Sequence, residues 1–390
     1  MGVNSLSFEQ AASLLNALRA EATGTNATSQ IINSKDFVSV ATTTLAQGYD
    51  PVLNALTQLI GRTIFSDRRY TGKLSLIQVD SQRWGYITRK LQLTDVAWED
   101  DQEFSLTDGQ SVDHYVVRKP LATQTNFYGQ AIVQRHYTIF KDQLDSAFTG
   151  PDEFGRFIAM VAGNCQDMIE QKREMTRRMT MANFIGGKIA ANNGIIHALT
   201  EYNAETGLTL TATSVMAPAN YDPFVKWLYG RMQTLADLMA ERSHLFQINI
   251  TGREVERHTD PTNLRVVMLS KWINDMKARV LSGTFNDSFL DLAGTEAISY
   301  WQNINEPSEI NVKPVYLNAN GTLTEATDAV NQTNILAVMF DWEAMGTTVM
   351  NEWSMATPMN AAGGYTNMFY HFTNRYFNDF SEKGIVILLD

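Results

Sequence analysis

The chain is poor in cysteine, since Cys165 is the only one among its 390 residues. A single thiol excludes an internal disulfide framework and suits a reducing compartment. Long apolar runs are also missing, because no stretch approaches the roughly 20 apolar residues of a membrane span. The N-terminus lacks the basic and apolar segments of a secretory signal, and the residue pattern after Gly2 does not match a myristoylation signal. We therefore expect a soluble, cytoplasmically made protein with no membrane role.

Motifs of catalysis and metal binding are missing as well. The sequence has no G-x-S-x-G, H-E-x-x-H or C-x-x-C, and its six histidines are widely separated. The stretch GGKI at residues 186–189 lacks the earlier glycine and the following Ser or Thr of a phosphate-binding loop. We expect no enzyme activity, no cofactor and no metal site.

Positive charge is in deficit, with 31 Lys and Arg residues against 42 Asp and Glu residues and a net charge of −11. This balance argues against a protein that coats nucleic acid with its own basic surface. It does not exclude a container whose inner surface must avoid adhering to a polyanionic cargo.

What the chain does have is one very long helical pattern at residues 151–191. Its apolar residues recur three or four positions apart, which predicts one buried stripe. Pro151 suits a first helical turn, and the Asn192-Asn193-Gly194 stretch suits an end. Such a helix would be about 60 Å long, which fits a subunit that spans a thin shell better than a compact enzyme core. The stripe comprises Phe154, Phe157, Ile158, Val161, Cys165, Met168, Ile169, Met175 and Met179.

The first 80 or so residues are predicted to form an arm. Helices are expected near residues 8–20 and 52–60, joined by a polar link at 22–34. This segment has too little apolar surface for a core of its own, so it must lie on this chain or on a neighbour. We expect deletion of residues 1–34 to spare the fold and impair assembly.

Residues 74–137 have strand character and are predicted to form a projecting ribbon. The Asp108-Gly109 pair predicts a hairpin between residues 104–106 and 112–117. The acidic run at 99–103 is interpreted as a solvated loop, with a contact to a neighbour's arginines or a cation site as alternatives. The basic group Lys172, Arg173, Arg177 and Arg178 is interpreted as a solvated face, with a contact to a neighbour's carboxylates as the alternative.

The rest of the chain mixes helices and strands, so the predicted fold class is α+β. Helices are expected at 140–148, 223–242 and 272–281, and strands at 208–215, 246–250 and 266–269. A second hairpin is expected where 312–317 turns through Asn320-Gly321. The continuous apolar run 335–340 predicts a central strand, and the run 385–389 must be buried.

Several short sequence patterns are informative when their order along the chain is considered. They are KDQLDSAF at 141–148, VMLS at 267–270 with Phe285-Asn286 and Leu290, and FDWEA at 340–344 followed by GYTN at 364–367 and FND at 377–379. In this order, with the long helix between them, the chain resembles the major capsid proteins of tailed double-stranded DNA bacteriophages, the small podovirus-like coat proteins in particular. That shell fold is shared with encapsulins and the herpesvirus capsid floor.

The resemblance implies a tailed-phage major capsid shell fold in five parts. These are an N-terminal arm at 1–84, an extended β-hairpin loop at 85–136, a peripheral domain with the long spine helix at 137–212, a mixed α/β axial domain at 213–345, and a return to the peripheral domain at 346–390.

It also implies a structural protein that self-assembles, as pentamers and hexamers, into the icosahedral capsid enclosing a phage genome. The implied partners are further copies of the chain, a portal protein, scaffolding and decoration proteins, and packaged DNA contacted non-specifically. The implied location is the virion, after assembly in the bacterial host cytoplasm. No Lys–Asn crosslink is expected. The alternatives are an encapsulin-like nanocompartment shell, or a cytosolic enzyme or ligand-binding protein of mixed fold. Expected inter-subunit contacts are Arg89, Lys90, Glu99, Asp100, Asp101, Glu103, Lys172, Arg173 and Arg177.

Overall fold

A computed structural model describes residues 8–23, 31, 33–46, 48–62, 71–79, 88–96, 98, 106–252, 255–280 and 294–390. The helices in these ranges are α1 (Phe8–Thr23), α2 (Ser34–Leu45), α3 (Tyr49–Arg62), α4 (Lys141–Ala147), α5 (Pro151–Ala191), α6 (Ala198–Thr206), α7 (Pro218–Ala240) and α8 (Ser270–Val280).

The strands in the same ranges are β1 (Thr88–Leu93), β2 (Ala122–Phe127), β3 (Gln130–Phe140), β4 (Ile195–His197), β5 (Leu264–Leu269), β6 (Thr295–Ile298), β7 (Ile310–Val312), β8 (Val315–Leu317), β9 (Leu323–Glu325), β10 (Val330–Gln332), β11 (Ile335–Asp341), β12 (Met345–Ala356), β13 (Tyr365–Asn378) and β14 (Gly384–Leu388).

The long helix α5 has the bounds that its sequence predicts, and its 41 residues extend about 60 Å. Pro151 occupies the first turn, where a missing N–H costs nothing, and Asp152 and Glu153 face the positive end of the helix dipole. At the other end Asn192 takes a left-handed conformation with φ of 49°, and its N–H donates to carbonyls of the last turn.

A five-stranded sheet, in the order β4-β14-β11-β5-β6, forms the larger core. Its middle strand β11 is buried along its whole length, and the neighbouring β14 is buried as well. The predictions of a central strand at 335–340 and of a buried C-terminal run are therefore confirmed. Helices α7 and α8 and the C-terminal half of α5 pack apolar residues into this core, including Phe184, Phe224 and Trp272.

A second core lies around the N-terminal half of α5. There α1, α2 and α3 pack with the three-stranded sheet β12-β13-β3, and the buried side chains include Leu15, Phe37, Phe154 and Ile158. Helix α1 therefore lies on its own chain, which contradicts the expectation that removing residues 1–34 spares the fold. Because α5 contributes to both cores, it joins them as one continuous element.

Some local predictions are wrong. Residues 208–215 form no strand, because Thr211 and Ser214 bond to each other in a tight turn instead. Residues 246–250 form no strand either, since Phe246 takes a left-handed conformation with φ of 65°. The turn at Asp108-Gly109 is present, with the Gln110 N–H 3.0 Å from the Thr107 carbonyl, but residues 111–121 are not a strand. The second hairpin, β8 with β9, is confirmed.

Candidate assembly surface

The ribbon formed by β1 and β2 has two unlike faces. The strands pair antiparallel from Thr88 with Phe127 to Leu93 with Ala122. Alternate residues of a strand point to opposite faces, so Lys90 and Gln92 point towards the body of the chain while Leu91 and Leu93 are exposed. A surface strand usually turns its apolar residues inward. Strand β1 reverses this arrangement, whereas in β2 Phe127 is half-buried and Gln124 and Asn126 are exposed.

The inward face of the ribbon is held by an ion cluster around Lys90. Its Nζ lies 2.9 Å from a carboxylate oxygen of Asp379 and 3.0 Å from one of Glu343, and it also contacts Glu382. Burial alone would lower the pKa of Lys90, but Asp379 and Glu382 raise it above its usual value. Lys90 is therefore charged at neutral pH and bound to carboxylates of its own chain.

Two further contacts fix the base of the ribbon. Arg257 lies 3.2 Å from Glu382 and also bonds to the side chain of Gln92, so it supplies a second cation to the cluster. Asp95 accepts a hydrogen bond from the Glu256 N–H at 2.9 Å and pairs with Arg242 at 2.6 Å. The hydrogen bond from Glu256, followed by the Arg242 contacts, holds the pKa of Asp95 below its usual value.

The outward part of the ribbon exposes large apolar side chains that the described body leaves uncovered. Trp98 is fully exposed, and Tyr115 and Val117 are almost so. Large apolar side chains exposed to this degree are typical of protein interaction sites where they form one patch. The same property is shared by Leu91, Leu93, Val96, Leu106, Val112, Val116 and Leu121.

The basic group on α5 is turned inward. Arg177 is 4% exposed, lies 2.9 Å from Glu170 and donates to the Gln78 side chain at 2.6 Å. Arg178 is 6% exposed, lies 2.5 Å from Glu174 and stacks 3.7 Å from the centre of the Tyr300 ring. The interpretation of these two residues as a solvated face is therefore wrong, because carboxylates of the same chain allow their burial.

The residues expected to touch neighbouring subunits are not brought together. Arg89 is exposed on the ribbon, while Lys90 is bound within the ion cluster. Lys172 is half-buried, and Arg173 lies 3.5 Å from Glu170 and contacts Glu352. Glu99, Asp100, Asp101 and Glu103 lie outside the described residues.

The sequence prediction overlooked the acidic partners of Lys90. Asp379 and Glu382 lie in the short turn before the last strand, and Glu343 lies between β11 and β12. The separation of about 290 positions from Lys90 to Asp379 gives no local pattern that could pair them. The available signal was the presence of acidic residues in a turn next to two buried strands, which indicates that a cation must lie near them.

Within the described ranges, no group of three or more His, Cys, Asp or Glu side chains is arranged to hold a metal ion, and no helix is long and apolar enough to cross a membrane. Cys165 is buried, as predicted, and burial raises the pKa of its thiol to about 11, which suits a structural residue better than a nucleophile. A cavity of about 280 Å³ between α7, α8 and β5 has a mixed lining that includes Met232, Met268 and Lys277.

Comparison with known proteins adds a family and a fold. A family model of the Phi29-like phage major capsid protein matches residues 15–387. The capsid structure of Staphylococcus phage Andhra is similar over 84% of this chain and 87% of that chain, with 9% identity and a TM-score of 0.53. A structure of native bacteriophage P68, with its head fiber and inner core protein gp22, covers the same shares with 8% identity and a TM-score of 0.52.

No curated protein sequence matches the chain. At these identities the two structures show the fold alone, which is the shell fold of tailed-phage capsids. The family match extends over almost the whole chain, from within α1 to the last residues of β14. The chain belongs to the Phi29-like phage major capsid protein family, and its role is that of a structural subunit of the capsid shell.

Proposed function

We propose that many copies of this chain tile a closed icosahedral shell around a double-stranded DNA genome, with pentamers at the vertices and hexamers between them. The observation that carries this proposal is the outward face of the ribbon, where strand β1 exposes its apolar residues. Its polar face is fixed to its own subunit through Lys90 and Asp95, while Leu91, Leu93 and Trp98 face outward. Closed symmetry covers such a surface on every copy at once, because each subunit meets an identical neighbour.

The five parts expected from the sequence receive their roles in this proposal. Residues 1–84 act as an arm whose helix α1 lies on its own subunit, 85–136 as the extended loop and 137–212 as the peripheral domain, with 213–345 as the axial domain and 346–390 as the return to the peripheral domain. Arg89, Lys172 and the acidic residues Glu99, Asp100, Asp101 and Glu103 contact neighbouring subunits. Lys90, Arg173 and Arg177 support those contacts by positioning the ribbon and α5.

The remaining partners follow from a shell that fills with DNA. A portal protein admits the genome, and scaffolding and decoration proteins assist assembly, which takes place in the bacterial host cytoplasm. DNA is contacted non-specifically, and the net charge of −11 suits a lining that lets DNA slide during filling.

The test is the particle state of the protein expressed with and without its neighbouring genes, followed by sedimentation and negative-stain microscopy. Closed hollow shells or open tubes of the same lattice are the expected result. A companion variant replaces residues 107–120 of the ribbon with a short Gly-Ser link and is expected to leave folded subunits that do not form shells. A monomer or dimer under both conditions would overturn the proposal and favour a cytosolic ligand-binding protein.

A further inference from the structure

Helix α5 exposes a track without a charged side chain. Among the positions from Met160 to Met179 whose side-chain burial the structure describes, the exposed ones are Met160, Asn164, Gln171, Met175 and Met179, with Met168 half-buried among them. Met160 is 63% exposed, Met175 49% and Met179 68%. These residues follow one another at intervals of three or four, so they form one continuous line along about 28 Å of helix. We name this line the methionine track.

The track reverses the ordinary arrangement of a surface helix. Such a helix turns charged residues to solvent and apolar residues to the core. Here Arg177 and Arg178 are buried against Glu170 and Glu174, while the methionines face outward. Methionine is flexible and polarizable, and it is over-represented on surfaces that adapt to a partner. The track is therefore a surface that another helix can cover.

We propose that, in the assembled shell, the methionine track packs antiparallel against the same track of a second copy across a two-fold axis. The proposal rests on the shell function above. An uncharged track offers nothing to DNA or to a charged partner, whereas it leaves no unpaired charge against an identical track. In an antiparallel pair centred between Met168 and Gln171, those two residues face each other, Asn164 faces Met175, and Met160 faces Met179. Each of these contacts occurs twice, as a two-fold interface requires.

The geometry concentrates the contact near its centre. Most steps of the track are four residues long, and two helices that interlock along such rows cross at about 50°. Met168, Gln171, Asn164 and Met175 then lie nearest to the partner, and the ends of the track diverge. Six residues on each side are far fewer than the roughly 20–30 of a stable interface. The pair therefore forms in the shell, where other contacts hold the subunits together, and not between free subunits.

Single cysteine variants test the pairing directly. In the antiparallel register a residue and its own copy are separated along the helix by about 4–5 Å at positions 168 and 171 but by about 28 Å at positions 160 and 179. After mild oxidation of purified shells, we expect Met168→Cys and Gln171→Cys to give covalent dimers on a non-reducing gel. Met160→Cys and Met179→Cys are the matched controls. They are at least as exposed in the free subunit, yet they are expected to stay monomeric.

The outcomes separate this proposal from the shell function. Normal shells without crosslinks at positions 168 and 171 would overturn the pairing alone, and so would equal crosslinking at all four positions. Protection of Gln171→Cys from alkylation without crosslinking would mean that a different partner covers the track, which also overturns the pairing. If the unaltered chain forms no shells under any condition, the shell function falls and the pairing with it. The unaltered chain should not crosslink, because Cys165 is buried.

A charge-swap pair provides a second, independent test. Met175→Glu places a carboxylate against Asn164 of the second copy, and we expect at least a tenfold loss of shell yield while circular dichroism shows a folded subunit. Adding Asn164→Lys should restore most of the yield, because the new lysine faces the new carboxylate in the antiparallel register. These positions lie about 16 Å apart within one helix, so the rescue cannot occur inside a single chain. An unaltered yield for Met175→Glu, or a loss that Asn164→Lys does not reduce, would overturn the pairing.

Discussion

Ile158 is fully buried on the side of α5 that faces the second core. We predict that Ile158→Asp unfolds the subunit or destabilises it by about 4 kcal/mol or more, because it places an unpaired charge in an apolar interior. Met160→Asp, two residues away on the exposed side, is the matched control and should keep the stability of the unaltered chain. Urea unfolding of the two variants measures the difference. A folded Ile158→Asp subunit of normal stability would show that this side of α5 is not core.

Lys188 gives a pH-dependent prediction. It lies in the last turn of α5, is fully buried, and donates to the Phe246 carbonyl at 2.7 Å and to the Asn193 side chain at 3.1 Å. Burial lowers its pKa from 10.5 to about 7, and Asp379 offsets part of this effect. Between those two pH values the unfolded chain binds a proton that the folded chain does not. The free energy of unfolding therefore carries no penalty from Lys188 above about pH 10.5, and it decreases as the pH falls from 10.5 towards 7.

Lys188→Met should remove this dependence. We expect the free energy of unfolding of the unaltered subunit to rise with pH between 7 and 10 more steeply than that of the variant, by a few kcal/mol over the range. The Phe246 carbonyl keeps a partner in the variant, since it also accepts from the Gly384 N–H. Denaturant midpoints at several pH values measure the slope. Parallel pH profiles would mean that Lys188 does not titrate in the way its burial indicates.

The residue scale is also where the sequence misleads most. Three- and four-residue spacing correctly predicted a helix, but it placed Met175 and Met179 in the core and Arg177 in solvent, and the structure reverses both. At about 100° per residue, Ile185 in the larger core points roughly half a turn away from Cys165 in the second core, so the buried side of α5 moves around the helix between the two cores. The predicted apolar stripe is therefore buried at the second core but exposed beside the larger core. The buried arginines depend on carboxylate partners, which the spacing of apolar residues does not identify.

At the scale of elements, the ribbon depends on one lysine. Lys90→Ala would leave Asp379 and Glu382 buried without their lysine, while Arg257 would still pair with Glu382. We predict a loss of about 3 kcal/mol in subunit stability and a ribbon that proteases cut more readily. Arg89→Ala, on the exposed side of the same strand, should change neither property. Equal effects of the two substitutions would show that the cluster does not hold the ribbon.

Helix α1 supplies a second prediction at this scale. Leu15 and Leu18 are fully buried against the second core. We expect Leu15→Ala and Leu18→Ala each to destabilise the subunit by about 2–5 kcal/mol, through lost burial and a residual cavity. Ser13→Ala on the exposed side should be nearly neutral. If both leucine variants were as stable as the Ser13 variant, α1 would instead belong to an arm that lies off its own subunit.

Elements differ in how far their sequence determines them. The bounds of α5 follow from local bonds and local capping residues, so they were predictable. Helix α2 was missed because its Thr-rich sequence favours strand, although Asn33 caps it by accepting from the Lys35 and Asp36 N–H groups at 2.9 and 3.0 Å. The Asp108-Gly109 turn was predicted correctly, but the choice of β1 with β2 as the paired strands depends on distant contacts.

At the scale of the whole molecule, assembly should be separable from folding. We predict that exchanging Asp100 and Asp101 for lysine disturbs shell formation and leaves the subunit folded, because the acidic contact that we propose for them with a neighbour would become repulsive. Replacing both residues by asparagine is the milder control and should reduce shell yield less. Particle yield by sedimentation and subunit circular dichroism measure the two properties. Normal shells from the lysine variant would remove this contact from the proposed interface.

The family and its shell fold were recognisable from scattered motifs whose order resembles that of known coat proteins. The surfaces were not, because a single sequence records which residues are apolar and not which of them another copy will cover. The outward apolar residues of the ribbon and the methionine track are recognised in the structure because they belong to neither core.

The continuity of α5 through both cores has a mechanical consequence. A stiff rod about 60 Å long converts a tilt of one degree at one end into a displacement of about 1 Å at the other. Side-chain contacts are lost over distances of that order. Neighbouring subunits that both contact α5 must therefore agree in orientation to within a few degrees. The curvature of a closed particle, and with it the number of subunits that close it, is thereby tied to the straightness of a single helix.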